Sequence, residues 1–178
     1  MAHRMSIEID VLNGRASWKQ AEPLLNAVWP PDVLAKLPWG DLVFADPDLR
    51  VLVSEPDGLV CHVGIVRRDL LWNGRKMRCG GIGGVATRDD RRGRGYASVA
   101  LNAAIQTLKD ERSIDFALLF CEPHHAPFYV ARGWTPFVGE IHAEQPSGRI
   151  RFEASAPYVF DLKRAVRRGA IDLCGLPW

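Results

Sequence analysis

Apolar and polar residues alternate loosely along residues 6–12 (SIEIDVL), a period of two that predicts a strand with one covered face. Ser17 stands where a helix cap is expected. Leu24, Leu25 and Val28 then recur at helical spacing until Pro30-Pro31 stops the pattern. Asp32 opens a second short helix ending near Pro38, and residues 41–45, 50–54 and 59–72 read as strands. Asn73-Gly74 comes next, two residues that tolerate the positive φ of a type I′ turn, and the returning strand runs over about residues 76–87. Residues 59–87 are therefore predicted to form one long antiparallel hairpin. From Tyr96 to Leu108 the period changes, with Val99, Ala100, Ala103, Ala104 and Leu108 on one helical face. Residues 114–120 (IDFALLF) are almost uniformly apolar, as expected of a strand covered on both sides. A short helix over residues 125–131 ends at Gly133, and residues 134–138 suggest a short strand. A last strand, YVFDL, lies within residues 150–162 just after Pro157, and the tail RAVRRGAIDLCGLPW ends on Trp178. Strands with helices inserted late in the order predict an α/β or α+β arrangement around a mixed sheet.

Composition narrows the class. The chain has 178 residues, which suits a single domain over residues 1–178. Its 47% hydrophobic and 25% charged content is that of an ordinary globular protein. A net charge of +2 supplies no global field toward nucleic acid or membrane, so any basic function is local. Cys61, Cys79, Cys121 and Cys174 are far apart and form no C-x-x-C, which argues against zinc and against a disulfide framework and reads as small buried hydrophobes. MAHRMSIEID lacks the apolar core of a secretory leader, and no run approaches a membrane span, so a cytoplasmic protein is expected.

The densest chemistry lies between strand and helix, in Asp89-Asp90-Arg91-Arg92-Gly93-Arg94-Gly95-Tyr96-Ala97-Ser98. A helix start carries amides with no internal partner and the positive end of the helix dipole, and glycines let backbone approach an anion closely. Three readings fit: a phosphate cradle, a nucleic-acid patch, or a solvated loop capped by Asp89 or Asp90. The dinucleotide fingerprint G-x-G-x-x-G is absent because no third glycine follows, and no G-x-x-x-x-G-K P-loop occurs. Nucleic-acid surfaces interleave exposed aromatics with their cations, and this stretch has few.

Arg92-Gly93-Arg94-Gly95-Tyr96-Ala97 resembles the Q/R-x-x-G-x-G/A signature of the GNAT superfamily of N-acetyltransferases. GGVAT before it, a long helix after it, the strand DFALLF and then PFYVARGW appear in the superfamily's order. The resemblance covers about residues 59–138. RRDLLWNGRKMRCGGIGGVATRDDRRGRG, YVARGWTPF and a final Trp are similar to the aminoglycoside 2′-N-acetyltransferases within it. One residue departs: where those enzymes carry a glutamate just before the Val-Ala segment, this chain has Gly83.

The resemblance implies a GNAT fold, with a central mixed, mostly antiparallel, splayed sheet flanked by helices. It implies an acetyl-CoA-dependent enzyme without metal, acting in a ternary complex on a primary amine of an amino sugar or aminoglycoside, a kasugamycin-type member included. A protein amine, another small-molecule amine or a longer acyl donor are the alternatives. The diphosphate would rest on amides of Arg92, Gly93, Arg94, Gly95, Tyr96 and Ala97, and the pantetheine arm would pair with the backbone of Val85, Ala86 and Thr87. Tyr129 would protonate the leaving thiolate. Asp32, Asp41, Gly83, Glu122 and Trp178 would surround the acceptor. The base stays open among Asp32, Asp41, Glu122, His124-His125 and the terminal carboxylate of Trp178, or water alone. His124 and His125 are not expected to form a metal pair, because neighbours on a helix point apart. Trp29, Trp39 and Trp178 are expected to close an aromatic pocket. A small-molecule amine is the expected partner, not nucleic acid or membrane. Dimers are common in the superfamily, so the resemblance allows a homodimer, and the sequence leaves the oligomeric state open.

Overall fold

The structure is a computed structural model that describes residues 6–178. Met1 to Met5, part of the stretch read for a leader, lie outside the described residues. The elements in chain order are β1 (Glu8–Asn13), α1 (Trp18–Val28), α2 (Pro31–Leu34), β2 (Leu49–Glu55), β3 (Gly58–Trp72), β4 (Arg75–Thr87), α3 (Tyr96–Asp110), β5 (Phe116–Cys121), α4 (Ala126–Val130), β6 (Thr135–Pro136), β7 (Val138–Gln145), β8 (Gly148–Arg151), β9 (Ala156–Asp161) and β10 (Arg168–Asp172).

All these strands join one mixed sheet, ordered β6-β9-β5-β4-β3-β10-β7-β8, with β2 and then β1 branching from β3. The branch is possible because β3 is long. Its first half pairs with β2 and its far end with β10, while β4 runs along the other edge. Only β4 with β5 and β10 with β7 are parallel. The predicted mixed, mostly antiparallel sheet is therefore observed, and the hairpin of β3 and β4 closes at Asn73 (φ 49°) and Gly74 (φ 77°). Tyr96, Ala100, Leu101, Ala104, Ile105 and Leu108 bury the inner face of α3 against β2 to β5. Full burial of each large apolar side chain stabilises by about 1.5–3 kcal/mol.

Four local expectations are corrected. Ser17 does not cap α1 through its side chain; its hydroxyl donates to the Asn13 carbonyl instead (2.7 Å). Residues 41–45 form no strand, because their backbone bonds go elsewhere. Val43 N–H donates to Gln145 Oε1 (2.9 Å) and Ala45 N–H to the Pro177 carbonyl (2.7 Å). YVFDL is not the last strand, since β10 lies in the tail between β3 and β7. The β7–β8 hairpin was not foreseen: in VGEIHAEQ only Ile141 and Ala143 are buried, so its pairing is set by distant partners. Of the cysteines, Cys61, Cys79 and Cys121 are buried as expected, whereas Cys174 is exposed.

The run Gly80-Gly81-Ile82-Gly83-Gly84 on β4 has a steric cause. A Cβ at Gly80 would sit 2.5 Å from Leu108 Cδ1, and one at Gly81 would sit 2.2 Å from the Trp178 ring. Absent side chains here let α3 close on one face of the sheet and the tail on the other. The Trp178 ring is pinned where it lies, its Nε1–H donating to the Leu118 carbonyl at 3.0 Å.

Candidate active site

β4 and β5 are paired only from Cys79–Phe116 to Ile82–Leu119. Beyond that point β4 continues to Thr87 and β5 to Cys121, so the two strands part. The β5-facing edge of residues 83–87 is left without a strand partner. The divergence coincides with a bulge: His62 faces Ala86 and Gly64 faces Gly83, leaving Gly84 and Val85 opposite Val63 alone. Gly84 takes φ +57°, a left-handed conformation that favours glycine.

A wedge-shaped cavity of ≈ 1180 Å³ opens at this divergence. Pockets of about 300–1,000 Å³ hold one drug-sized ligand, so this one has room for an extended donor arm together with a small acceptor. Gly83, Val85, Ala86 and Thr87 line its middle, and Arg92, Gly93, Gly95, Tyr96 and Ala97 line one end. Glu122, Tyr129 and Trp178 line it as well. Arg94 is exposed and does not face the cavity.

The turn at that end fits an anion. Gly93 and Gly95 have φ +74° and +86°, and a Cβ on either would meet nothing within 4 Å, so their backbone angle and not crowding favours glycine. The first backbone bond of α3 runs from Val99 N–H to the Gly95 carbonyl (3.1 Å), and no side chain caps the helix. Among the described residues, no protein acceptor meets the amides of Gly93, Arg94, Gly95, Tyr96, Ala97 or Ser98. Such a nest at the positive end of a 15-residue helix suits a diphosphate.

Residues not foreseen from the sequence fasten this turn. The Tyr96 hydroxyl donates to the buried Glu55 Oε1, and Arg91 Nε donates to Glu55 Oε2 at 2.8 Å. The Tyr96 hydrogen bond and then Arg91 hold the Glu55 carboxyl below its ordinary range. Arg88 and Arg91 also bind Asp57 and Asp90, so both are committed to holding the loop. Glu55 precedes Pro56-Asp57-Gly58 and carries only a turn signal in the sequence; nothing there links it to Tyr96.

A second buried chain lies beneath the bulge. His62 Nδ1–H donates to the Gly84 carbonyl (2.6 Å), and Arg50 Nη1–H donates to His62 Nε2 (2.9 Å), which fixes the neutral Nδ1–H tautomer. Arg50 is itself held by the Gly14 carbonyl (2.9 Å) and stacks on Trp18. Burial pushes His62 down from 6.5 to about 4, with Arg50 adding to the effect and the Gly84 bond opposing it. The unfolded chain therefore binds the extra proton first. The contribution of neutral His62 to stability is complete above pH 6.5 and is lost as pH falls toward 4. The loss amounts to about 3 kcal/mol. Denaturant melts at pH 7 and pH 4.5 check this: His62→Gln is expected to show the smaller difference between the two, and an unchanged difference would contradict the assignment. The sequence signal was a lone histidine inside an apolar strand, VCHVGIV.

On α4, Tyr129 is buried between Phe128 (centroids 5.0 Å apart) and Trp134 (6.2 Å). Burial raises its phenol pKa well above the ordinary value, so it stays protonated throughout the neutral range. At the far end of the cavity stand Trp29, Trp39 and Trp178, as expected. Two expected acceptor residues are not there. Asp32 is exposed in the first turn of α2, and Asp41 is exposed in the loop beyond Trp39; neither lines the cavity. Asp46, which does line it, was not foreseen. Gly83 faces the Trp178 main chain, and a Cβ there would lie 3.1 Å from its C atom. A side chain at that position would press on the Trp178 main chain, which would have to give by a few tenths of an ångström.

The premise that His124 and His125 point apart is also corrected. They sit on a 3-10 turn, not mid-helix, and their ring centroids are 3.9 Å apart. The ligand atoms of Glu122, His124 and His125 lie within 4.8 Å of one another.

The acetyltransferase (GNAT) domain family matches residues 38–137, more than half of the chain, and the chain belongs to this family. It is 30% identical over 103 residues to an aminoglycoside 2'-N-acetyltransferase of Mycolicibacterium fortuitum, a match covering 58% of this chain and 52% of that protein. The match thus spans about half the length of this curated relative. Among solved structures, the CoA complex of the GNAT N-acetyltransferase YhbS from Escherichia coli superimposes with a TM-score of 0.64 at 17% identity, over 97% of this chain and 92% of that one. ElaA from Escherichia coli gives 0.64 at 18% identity, over 88% and 100%. A GNAT acetyltransferase from Brucella melitensis in complex with acetyl-CoA gives 0.58 at 11% identity, over 94% and 96%. At these identities the three structures establish the fold. No helix among the described residues is long and apolar enough to cross a membrane.

Proposed function

We propose that this protein transfers an acetyl group from acetyl-CoA to a primary amine of a small molecule, with both bound together in the wedge between β4 and β5. One observation carries the reading: the unpartnered amides of residues 93–98 open at the end of a cavity whose middle is the unpaired edge of residues 83–87. The turn holds the diphosphate, and the edge accepts the pantetheine arm as an added strand. The known ligands of YhbS and the Brucella protein, CoA and acetyl-CoA, agree with this.

The donor supplies an activated thioester. The chain positions it so that a neutral amine nitrogen attacks the thioester carbonyl, forming the C–N bond as the C–S bond breaks. Backbone N–H groups near Val85 face the oxygen on which charge develops. Tyr129, neutral and buried, gives its proton to the departing sulfur. Of the base candidates, Glu122, His124, His125 and Trp178 line the cavity and are the groups this reading places near the ammonium. The finer acceptor reading, an amino sugar or aminoglycoside-type amine, is supported by the Mycolicibacterium relative and by the aromatic walls. Purified protein is expected to release CoA thiol from acetyl-CoA only when an amine is added, with the amide detected by mass spectrometry. Thiol release independent of amine, or none with any amine, would contradict the reading.

A further inference from the structure

β4 and β5 separate after the pair Ile82–Leu119, and Trp178 lies across the place where they close. Its Nε1–H donates to the Leu118 carbonyl, and its ring fills the space over Gly81, the register partner of Leu118. Its Cδ1 lies 3.7 Å from where a Cβ of Gly83 would be, so one side chain covers β4 from Gly81 to Gly83. On the other face of the sheet, Ile82 and Leu119 are buried in the cluster that includes α3. The narrow end of the wedge is thus sealed by the closing strands, by two apolar side chains and by the indole.

The seal is braced. Arg68 Nη1–H donates to the Leu176 carbonyl (2.6 Å), and the guanidinium carbon stands 5.2 Å from the centroid of the Trp178 ring. Ala45 N–H holds the Pro177 carbonyl (2.7 Å). An indole that stepped aside would lose these contacts and its own bond to Leu118.

The donor runs toward this seal. With its diphosphate on residues 93–98 and its pantetheine arm along Thr87, Ala86 and Val85, the order of positions on β4 carries an acyl chain onward from Val85 to Gly83. Two residues of strand span at most about 6.6 Å. Carbon atoms in contact stand about 3.5–4 Å apart. That leaves about 3 Å beyond the thioester carbonyl, room for about two carbons at about 1.5 Å per bond. We propose that Trp178 sets the acyl length of the donor: acetyl and propionyl fit, whereas butyryl and longer chains run into the indole. This rests on the acetyl-transfer reading and narrows its donor. With an open narrow end, each added methylene would bury apolar surface and tighten binding instead, so the two cases differ in sign.

The test is calorimetry in amine-free buffer with acetyl-, propionyl-, butyryl- and hexanoyl-CoA. The first two are expected to bind within about threefold of each other, and the last two at least tenfold more weakly. Trp178→Ala is expected to cut the hexanoyl penalty to about threefold or less. Trp178→Phe, which keeps an aromatic ring in the core, is expected to cut it part of the way, and thermal melts confirm that each variant folds. If neither folds, the wild-type series decides alone. Affinity that stays level or rises from acetyl to hexanoyl in the wild type, or an undiminished penalty in the folded variants, would overturn the proposal. Thiol release with added amines, measured in parallel, separates the two claims. A level series from a protein that acetylates an amine removes the length limit alone, whereas a steep series with no amine acetylated removes the transfer reading alone.

Discussion

Gly95→Asp is expected to lower acetyl-CoA affinity by about 100-fold while the protein still folds. Residue 95 sits at φ +86°, where a non-glycine residue costs about 1–2 kcal/mol. Its side chain would point into open space, since a Cβ there meets nothing within 4 Å, so the core is untouched. The main effect is electrostatic. A carboxylate about 4 Å from a diphosphate is repelled by about 4 kcal/mol at an effective dielectric of about 20, and the neighbouring Arg92 offsets part of this. Gly95→Ala carries the strain without the charge and is expected to lose about tenfold. Calorimetric titration with acetyl-CoA measures both, and thermal melts confirm folding. If Gly95→Asp bound acetyl-CoA as tightly as the wild type, the diphosphate would have to lie elsewhere.

Tyr129→Phe is expected to lower kcat by about 100-fold or more and leave the acetyl-CoA dissociation constant within twofold. General-acid help to a leaving group is worth about 10²–10⁴-fold, and removing one hydroxyl leaves the packing against Phe128 and Trp134 in place. Because burial raises the phenol pKa, ionisation of Tyr129 does not cut the wild-type rate anywhere in the neutral range. Single-turnover rates with saturating donor give the chemical step directly. An undiminished rate in the phenylalanine variant would remove Tyr129 from the proton path.

The two halves of the site differ in how far the sequence revealed them. The donor half is local. A glycine-bearing turn, a helix start and the preceding strand lie within residues 83–98, so backbone conformation and helix-end chemistry can be read in order. Tyr129 came through its short PFYVARGW context. The acceptor half is assembled from α1, α2, the loop through Phe44, β5 and the tail, and no spacing rule reports such meetings. Asp32 and Asp41 rested on the resemblance and on their place near the N-terminal helices, neither of which fixes which side chain enters the cavity. Asp46 lies a few residues on and faces the cavity because Ala45 is tied to Pro177. Glu55 and His62 were hidden for a similar reason: each acts through two partners brought in from other parts of the chain, Tyr96 and Arg91 for Glu55 and Gly84 and Arg50 for His62. Gly83 read as the loss of a glutamate, whereas the structure gives it a use of its own, as space for Trp178.

The claim on which the rest depends is that the amides of residues 93–98 hold the donor's diphosphate. A crystal structure with CoA bound tests it most directly. Diphosphate oxygens within hydrogen-bond distance of those amides, with the pantetheine arm along residues 85–87, are the predicted result. CoA bound away from this turn, with the amides turned to protein or bulk water, would contradict the account.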